Sequence, residues 1–306
     1  MPRRGFQPKT KTIHDRLELI GATFLAGYHS ALRDSRMPEL DRQLQRIDLE
    51  ARGFAFEGAA MALTLLDVLL PRRPRRLSQF IQGPAANHVY MSYVGAGWAY
   101  ARLYRRFKPL ITHGDPLLGW LALDGYGFHE GYFHAQRYLS AQRWPRRLTG
   151  YERRVFDQGF GRSLWFVKAM DVAAIAQTIA TFAPDRHADL WSGVGLACAY
   201  AGGVDQLTLT TLRDAAGACL PQLAQGVAFA AKTRERAGNL TPHTEDATRI
   251  LCRMSAQDAA AITDQALKDL PADQPLPAYE HWRQRIQSRF GGAGADNYLQ
   301  VQRGHL

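Results

Sequence analysis

LALDGYGFHEGYFHAQ, residues 121–136, contains a pattern that recurs along the chain. Its second half, EGYFHAQRYL (130–139), has counterparts in FEGAAMALTLL (56–66), AGWAYARLY (96–104), FGRSLWFVKAM (160–170), VGLACAYAGG (194–203) and QGVAFAAKTR (225–234). Each begins with a glycine followed by small and aromatic residues at helical spacing. The glycines are Gly58, Gly97, Gly131, Gly161, Gly195 and Gly226, separated by 39, 34, 30, 34 and 31 residues. Periods of this size mark stacked supersecondary units. A small residue one turn after a glycine lets a neighbouring backbone approach closely. Glycine inside a helix costs roughly 0.5–1 kcal/mol relative to alanine, so repeated use implies repeated close contacts.

The intervening segments supply further helices. DVAAIAQTIATF (171–182) spaces Val172, Ile175, Ile179 and Phe182 by 4 and 3 residues along one face. Pro71, Pro74, Pro109, Pro116, Pro145 and Pro184 interrupt the pattern, and Gly202-Gly203 marks a helix stop. Alternating β-branched runs bounded by hairpin turns are missing, which argues against a large sheet. The expected fold is all-α: a curved, solenoid-like array of paired helices with a period of about 30–39 residues. The reading divides the chain into an N-terminal helical cap (1–50, with a helix over 14–32), a helical-repeat core (51–238), a C-terminal helical cap (239–290) and a flexible tail (291–306).

The 306 residues are 46% hydrophobic and 22% charged, enough to bury a sizeable core. The longest apolar block, 54–70, carries Glu57 and Asp67, so no membrane span is expected. The basic N-terminus has no apolar signal region. The three cysteines form no close pair and read as reduced, mostly buried thiols of a cytoplasmic protein. The net charge of +10 comes mostly from arginine, clustered at 71–76, 102–108, 143–147 and 151–154. These clusters favour acidic partners or form a solvated basic surface. No nucleic-acid reading motif accompanies them, so nucleic acid is not an expected partner.

Chemistry concentrates before the glycines. Glu57, Ala96, Glu130, Phe160, Val194 and Gln225 each precede one, and equivalent positions of a stacked array form a ridge. Glu130 and His134 lie four apart on one helix face. His129 lies five before His134, about 140° around a regular helix. Glu130 and His134 are therefore expected to face one seam, each at least half buried, with His129 pointing elsewhere. HEGYFH lacks the HExxH spacing. A metal centre would need His88, His113, Asp124 or Asp157 from other units, and neither metal nor cofactor is expected. Glu130, His134, Glu57 and Asp157 are the candidate catalytic residues. Glu130–His134 is either an acid–base pair or a structural polar seam. Trp98, Tyr132, Trp165 and Arg162 are the candidate substrate-binding residues, with the aromatics forming either an apolar tunnel or plain core. Arg162 is expected to pair with Asp157 or to hold an anion. Phosphate-loop, dinucleotide and nucleophile-elbow motifs are absent.

Five segments also carry a resemblance: RGFAFEGAAMALTLLD, HVYMSYVGAGWAYARL, LALDGYGFHEGYFH, FDQGFGRSLWFV and DLWSGVGLACAYAGGVD. Over roughly 50–245 the chain resembles a bacterial domain-of-unknown-function family associated with enediyne polyketide biosynthesis gene clusters. The resemblance implies an accessory protein or enzyme that acts on or holds a polyene or acyl intermediate from an iterative polyketide synthase. It assigns no catalytic residue. The alternative is a helical-repeat scaffold that binds an acidic acyl carrier domain or other pathway proteins without catalysis. A closed apolar cavity faced by Glu130 would favour the enzyme, and an open basic concave surface the scaffold.

Overall fold

The computed structural model describes residues 10–70, 75–103, 114–271 and 275–291. Every regular element among them is helical. Seven long helices form the frame: α1 (Lys11–Arg33), α3 (Arg52–Leu69), α5 (Val89–Leu103), α6 (Trp120–Ala141), α7 (Tyr151–Val167), α9 (Pro184–Ala201) and α11 (Leu220–Arg236). Shorter helices lie between them in sequence: α2 (Met37–Gln45), α4 (Arg76–Gln82), α8 (Val172–Ala180) and α10 (Gln206–Ala216). The chain continues through α12 (Pro242–Leu251), α13 (Ala256–Leu267) and α14 (Ala278–Phe290). The all-α expectation holds, and each long helix packs on the next in chain order.

The packing follows from glycine pairs two residues apart: Gly95 and Gly97, Gly125 and Gly127, Gly159 and Gly161, Gly193 and Gly195. Two residues turn a helix by about 200°, so the members of a pair face opposite neighbours. A Cβ on Gly159 would lie 1.9 Å from the Asp124 carbonyl oxygen on α6, and one on Gly161 would lie 2.1 Å from that of Leu190 on α9. The contacts are reciprocal. Gly127 meets Phe156 O, and Gly193 meets Gln158 O. Gly27 and Gly58 lock α1 to α3 in the same manner. Only a missing side chain allows backbones this close, so these glycines set the spacing of the row.

The neighbours run parallel. Between α7 and α9 the contacts advance together, from Arg154–Asp189 to Gly193 against Gln158 O and then to Trp165 Nε1 donating to Gly202 O. Parallel neighbours require return segments, and α2, α4, α8 and α10 lie in four of them. α8 shows how local sequence sets one: Asp171 caps its start by accepting from Ala173 N and Ala174 N, while Val172, Ile175 and Ile179 are buried.

The row curves until its ends meet. Phe54 on α3 packs edge-on against Tyr200 on α9, with ring centroids 5.2 Å apart. Arg16 Nε donates to Ala201 O, Arg234 donates to Glu50 O, and Asn239 Nδ2 donates to Leu49 O. The array is therefore closed, with an inside and an outside. α14 seals one end. Its buried Arg283 donates to Asp189 Oδ1 at 2.6 Å and Gln225 Oε1 at 3.3 Å, and Tyr151 OH donates to Glu280 Oε2 at 2.7 Å. No helix among the described residues is long and apolar enough to cross a membrane. Most of the arginine clusters at 71–76 and 102–108, His113, and all but the first residue of the expected tail lie outside the described residues.

Candidate functional site

The residue before the first glycine of each pair points into the ring. On α6, α7 and α9 it is Asp124, Gln158 and Ser192, and the single glycines Gly58 and Gly226 place Glu57 and Gln225 equivalently. All five are buried. They form an interior polar belt. Gln158 Nε2 donates to Asp124 Oδ2 at 2.8 Å, and Ser192 Oγ donates to Gln225 Oε1 at 2.9 Å. Arg162, one turn beyond Gln158, reaches Asp124 Oδ1 at 2.9 Å and lies over the Phe128 ring.

Beside this belt lies a cavity of about 190 Å³ between α1, α3, α5, α6, α7 and α9. Its wall is mainly apolar and aromatic, with Phe54, Trp98, Phe128, Tyr132 and Phe166 among its residues. Leu25 of α1 lines it and is 51% exposed, so the cavity reaches solvent beside that helix. Glu57, Arg162 and Tyr200 are its polar residues of interest. The Tyr200 hydroxyl and Arg162 Nε are buried without a hydrogen-bond partner among the described residues. Buried polar groups normally have partners, so these two can receive a polar group of a guest. Burial pushes the Glu57 carboxyl up to about 7; Asp124 adds to the shift, while Arg162 and the Trp98 indole oppose it. A carboxyl tuned near neutrality in an apolar cavity can give or take a proton.

The candidate residues separate into groups. Glu57, Trp98, Tyr132 and Arg162 come together around the cavity. Trp165 is fully buried in the core. Of the two expectations for Arg162, pairing with Asp157 does not occur: Arg162 pairs with Asp124 and Asp157 with Arg186. Arg186 Nε and Trp144 Nε1 each donate to Asp157 Oδ2 at 2.9 Å, while burial outweighs these partners and pushes its carboxyl up to about 6. His88 stacks on Phe56, and burial lowers it to about 4.

Glu130 and His134 do not share a buried seam. Glu130 is buried, but His134 is exposed. Nor does His129 point away. Its Nδ1 lies 3.2 Å from Glu130 Oε1, and its ring lies 6.0 Å from that of His134. The reason is a break in helical geometry at His134, where φ is −128° and ψ 25°. Tyr138 OH donates to Glu130 Oε2 at 2.6 Å and completes the cluster. Trp98 and Phe133, which line the cavity, pack against the other side of the His129 ring.

Sequence reasoning missed Tyr200 and the polar belt: Asp124 was named only as a possible metal ligand, and Gln158 and Ser192 were given no role. The available signal was the first glycine of each pair, with spacings of 30, 34 and 34 residues from Gly95 through Gly125 and Gly159 to Gly193.

A family model described as "Protein of unknown function (DUF1702)" matches residues 1–290. The chain belongs to this family. The match extends well beyond the 50–245 segment that carried the resemblance and takes in α1, which lines the cavity, and α14, which seals the ring. No curated protein and no solved structure matches the chain.

Proposed function

We propose that the ring binds an elongated apolar acyl chain in the Glu57 cavity and that the protein is an accessory enzyme of enediyne-type polyketide biosynthesis, acting on a polyene intermediate. The observation that carries the binding reading is the aromatic cavity with the unpartnered Arg162 Nε and Tyr200 hydroxyl at its wall. Rings suit a conjugated chain by stacking and edge contacts. The two donors suit a carbonyl or carboxylate at one end of that chain. Glu57 is the proposed proton donor or acceptor, and Trp98, Tyr132 and Arg162 are the proposed substrate contacts. The pathway class comes from the sequence resemblance alone.

The test has two parts. A fluorescent conjugated tetraene fatty acid is titrated into the purified chain, with Trp98 quenching as the readout. Saturable one-to-one binding that Arg162→Met weakens supports the binding reading, and absence of binding removes it. Co-expression with an iterative polyketide synthase then tests catalysis. Glu57→Gln should preserve tetraene binding and change the polyene product profile. An unchanged profile, together with direct binding of an acyl carrier domain, would favour the scaffold reading.

A further inference from the structure

We propose that His129, Glu130 and His134 form a binding site for a divalent first-row transition ion, with zinc the best match to the donor set. One ligand atom from each residue lies within 4.8 Å of the other two. His129 Nδ1 and Glu130 Oε1 are 3.2 Å apart. Two ligands on a tetrahedral zinc with bonds of about 2.0–2.1 Å stand about 3.3 Å apart, so this pair is already at the required separation. His134 must close the remaining distance. It is exposed, so its imidazole is not locked by surrounding core.

One observation points to a ligand rather than to a self-contained hydrogen-bond cluster. A cluster that served only to satisfy Glu130 would need His129 and Tyr138 and nothing more. It would not need the break at His134, which brings together two histidines that a regular helix would hold about 140° apart. Tyr138, donating to the second carboxylate oxygen, fixes the carboxylate as an outer-shell partner would. The positive charge of Arg102, stacked on Phe133, opposes a cation here.

Two nitrogens and one carboxylate oxygen suit zinc, iron, cobalt or nickel better than calcium or magnesium. Three protein ligands leave a coordination position for water. The ion would stand behind Trp98 and Phe133, separated from the interior of the cavity by these rings. The proposal is independent of the role given to Glu57.

The test uses the full chain, stripped with a chelator and titrated with Co²⁺ as a spectroscopic probe. The expected result is visible d–d absorption saturating at one equivalent and displaced by one equivalent of Zn²⁺. His134→Ala removes an exposed ligand, so the melting temperature of the stripped protein should be unchanged while Co²⁺ affinity falls at least ~100-fold. Tyr138→Phe should weaken binding by about 10–100-fold, the range typical of outer-shell partners. Absence of a saturable d–d band in the wild-type chain overturns the proposal, as does equal Co²⁺ affinity in wild type and His134→Ala.

Discussion

Replacing Glu57 by glutamine should make the protein more stable at alkaline pH and leave it unchanged at acid pH. The carboxyl is buried and is raised from 4.5 to about 7. A raised acid binds its proton more tightly folded than unfolded. The stability associated with the protonated carboxyl is therefore fully present below pH 4.5 and is lost as pH rises through about 7. A shift of about 2.5 units corresponds to about 3 kcal/mol at 1.36 kcal/mol per unit. Glutamine keeps the shape and cannot ionise, so the variant escapes the loss. Asp124 and Asp157 are also raised, but they titrate in both proteins and largely cancel in the difference. The assay is guanidinium unfolding of both proteins from pH 4.5 to 8.5. The stability difference should start near zero and rise by about 3 kcal/mol in favour of glutamine. A difference flat to within about 0.5 kcal/mol would refute both the burial argument and the use of Glu57 as a near-neutral acid–base group.

Other outcomes test the frame. Gly161→Ala places a methyl 2.1 Å from a backbone oxygen and should cost at least about 1–3 kcal/mol, whereas Gly21→Ala meets nothing within 4 Å and should stabilise by about 0.5–1 kcal/mol; denaturant midpoints decide both. Arg283→Met leaves the buried Asp189 and Glu280 to share Arg154 alone as a cation and should cost up to about 3–5 kcal/mol, measured by thermal unfolding. Burial pushes the Cys219 thiol up to about 11 and those of Cys198 and Cys252 still higher, so a thiol reagent at pH 8 should label the native chain slowly and the unfolded chain at once.

The glycine period was legible because close helix contact leaves a compositional trace. The direction each glycine faces was not, and this shaped the reading of the site. Gly58 and Gly226 face the preceding long helix, whereas Gly97, Gly161 and Gly195 face the following one. A residue before the first kind points into the ring, as Glu57 and Gln225 do. A residue before the second kind points outward, so Ala96 clusters with Leu77 and Phe80 of α4, and Phe160 meets Phe182 just past the end of α8. Aligning the two kinds made Glu57 and Glu130 look equivalent. Gly131 meets the Ser163 side chain rather than a backbone, one turn beyond the Gly125–Gly127 pair. The His129–His134 approach was illegible for another reason: it depends on a backbone break that residue spacing does not encode. Trp98, Tyr132, Trp165 and Arg162 were named together as candidate substrate contacts; Trp98, Tyr132 and Arg162 line one cavity and Trp165 does not, a division that depends on ring closure through pairs such as Phe54–Tyr200, far apart in sequence.

Parallel packing of the long helices also aligns their peptide dipoles. Each helix contributes the equivalent of roughly half a negative charge at its carboxyl end, and side by side these partial charges repel. Arginine counters them where the ring closes. Arg16 donates to the last carbonyl of α9, Arg234 donates to the Tyr200 carbonyl one residue earlier, and Arg102 and Arg236 occupy the last turns of α5 and α11. Part of the chain's basic surplus thus acts as internal counter-charge for a rim of carbonyl oxygens. Neutralising those arginines should loosen the carboxyl-end rim before it disturbs the opposite end, which α14 holds with its own ion pairs.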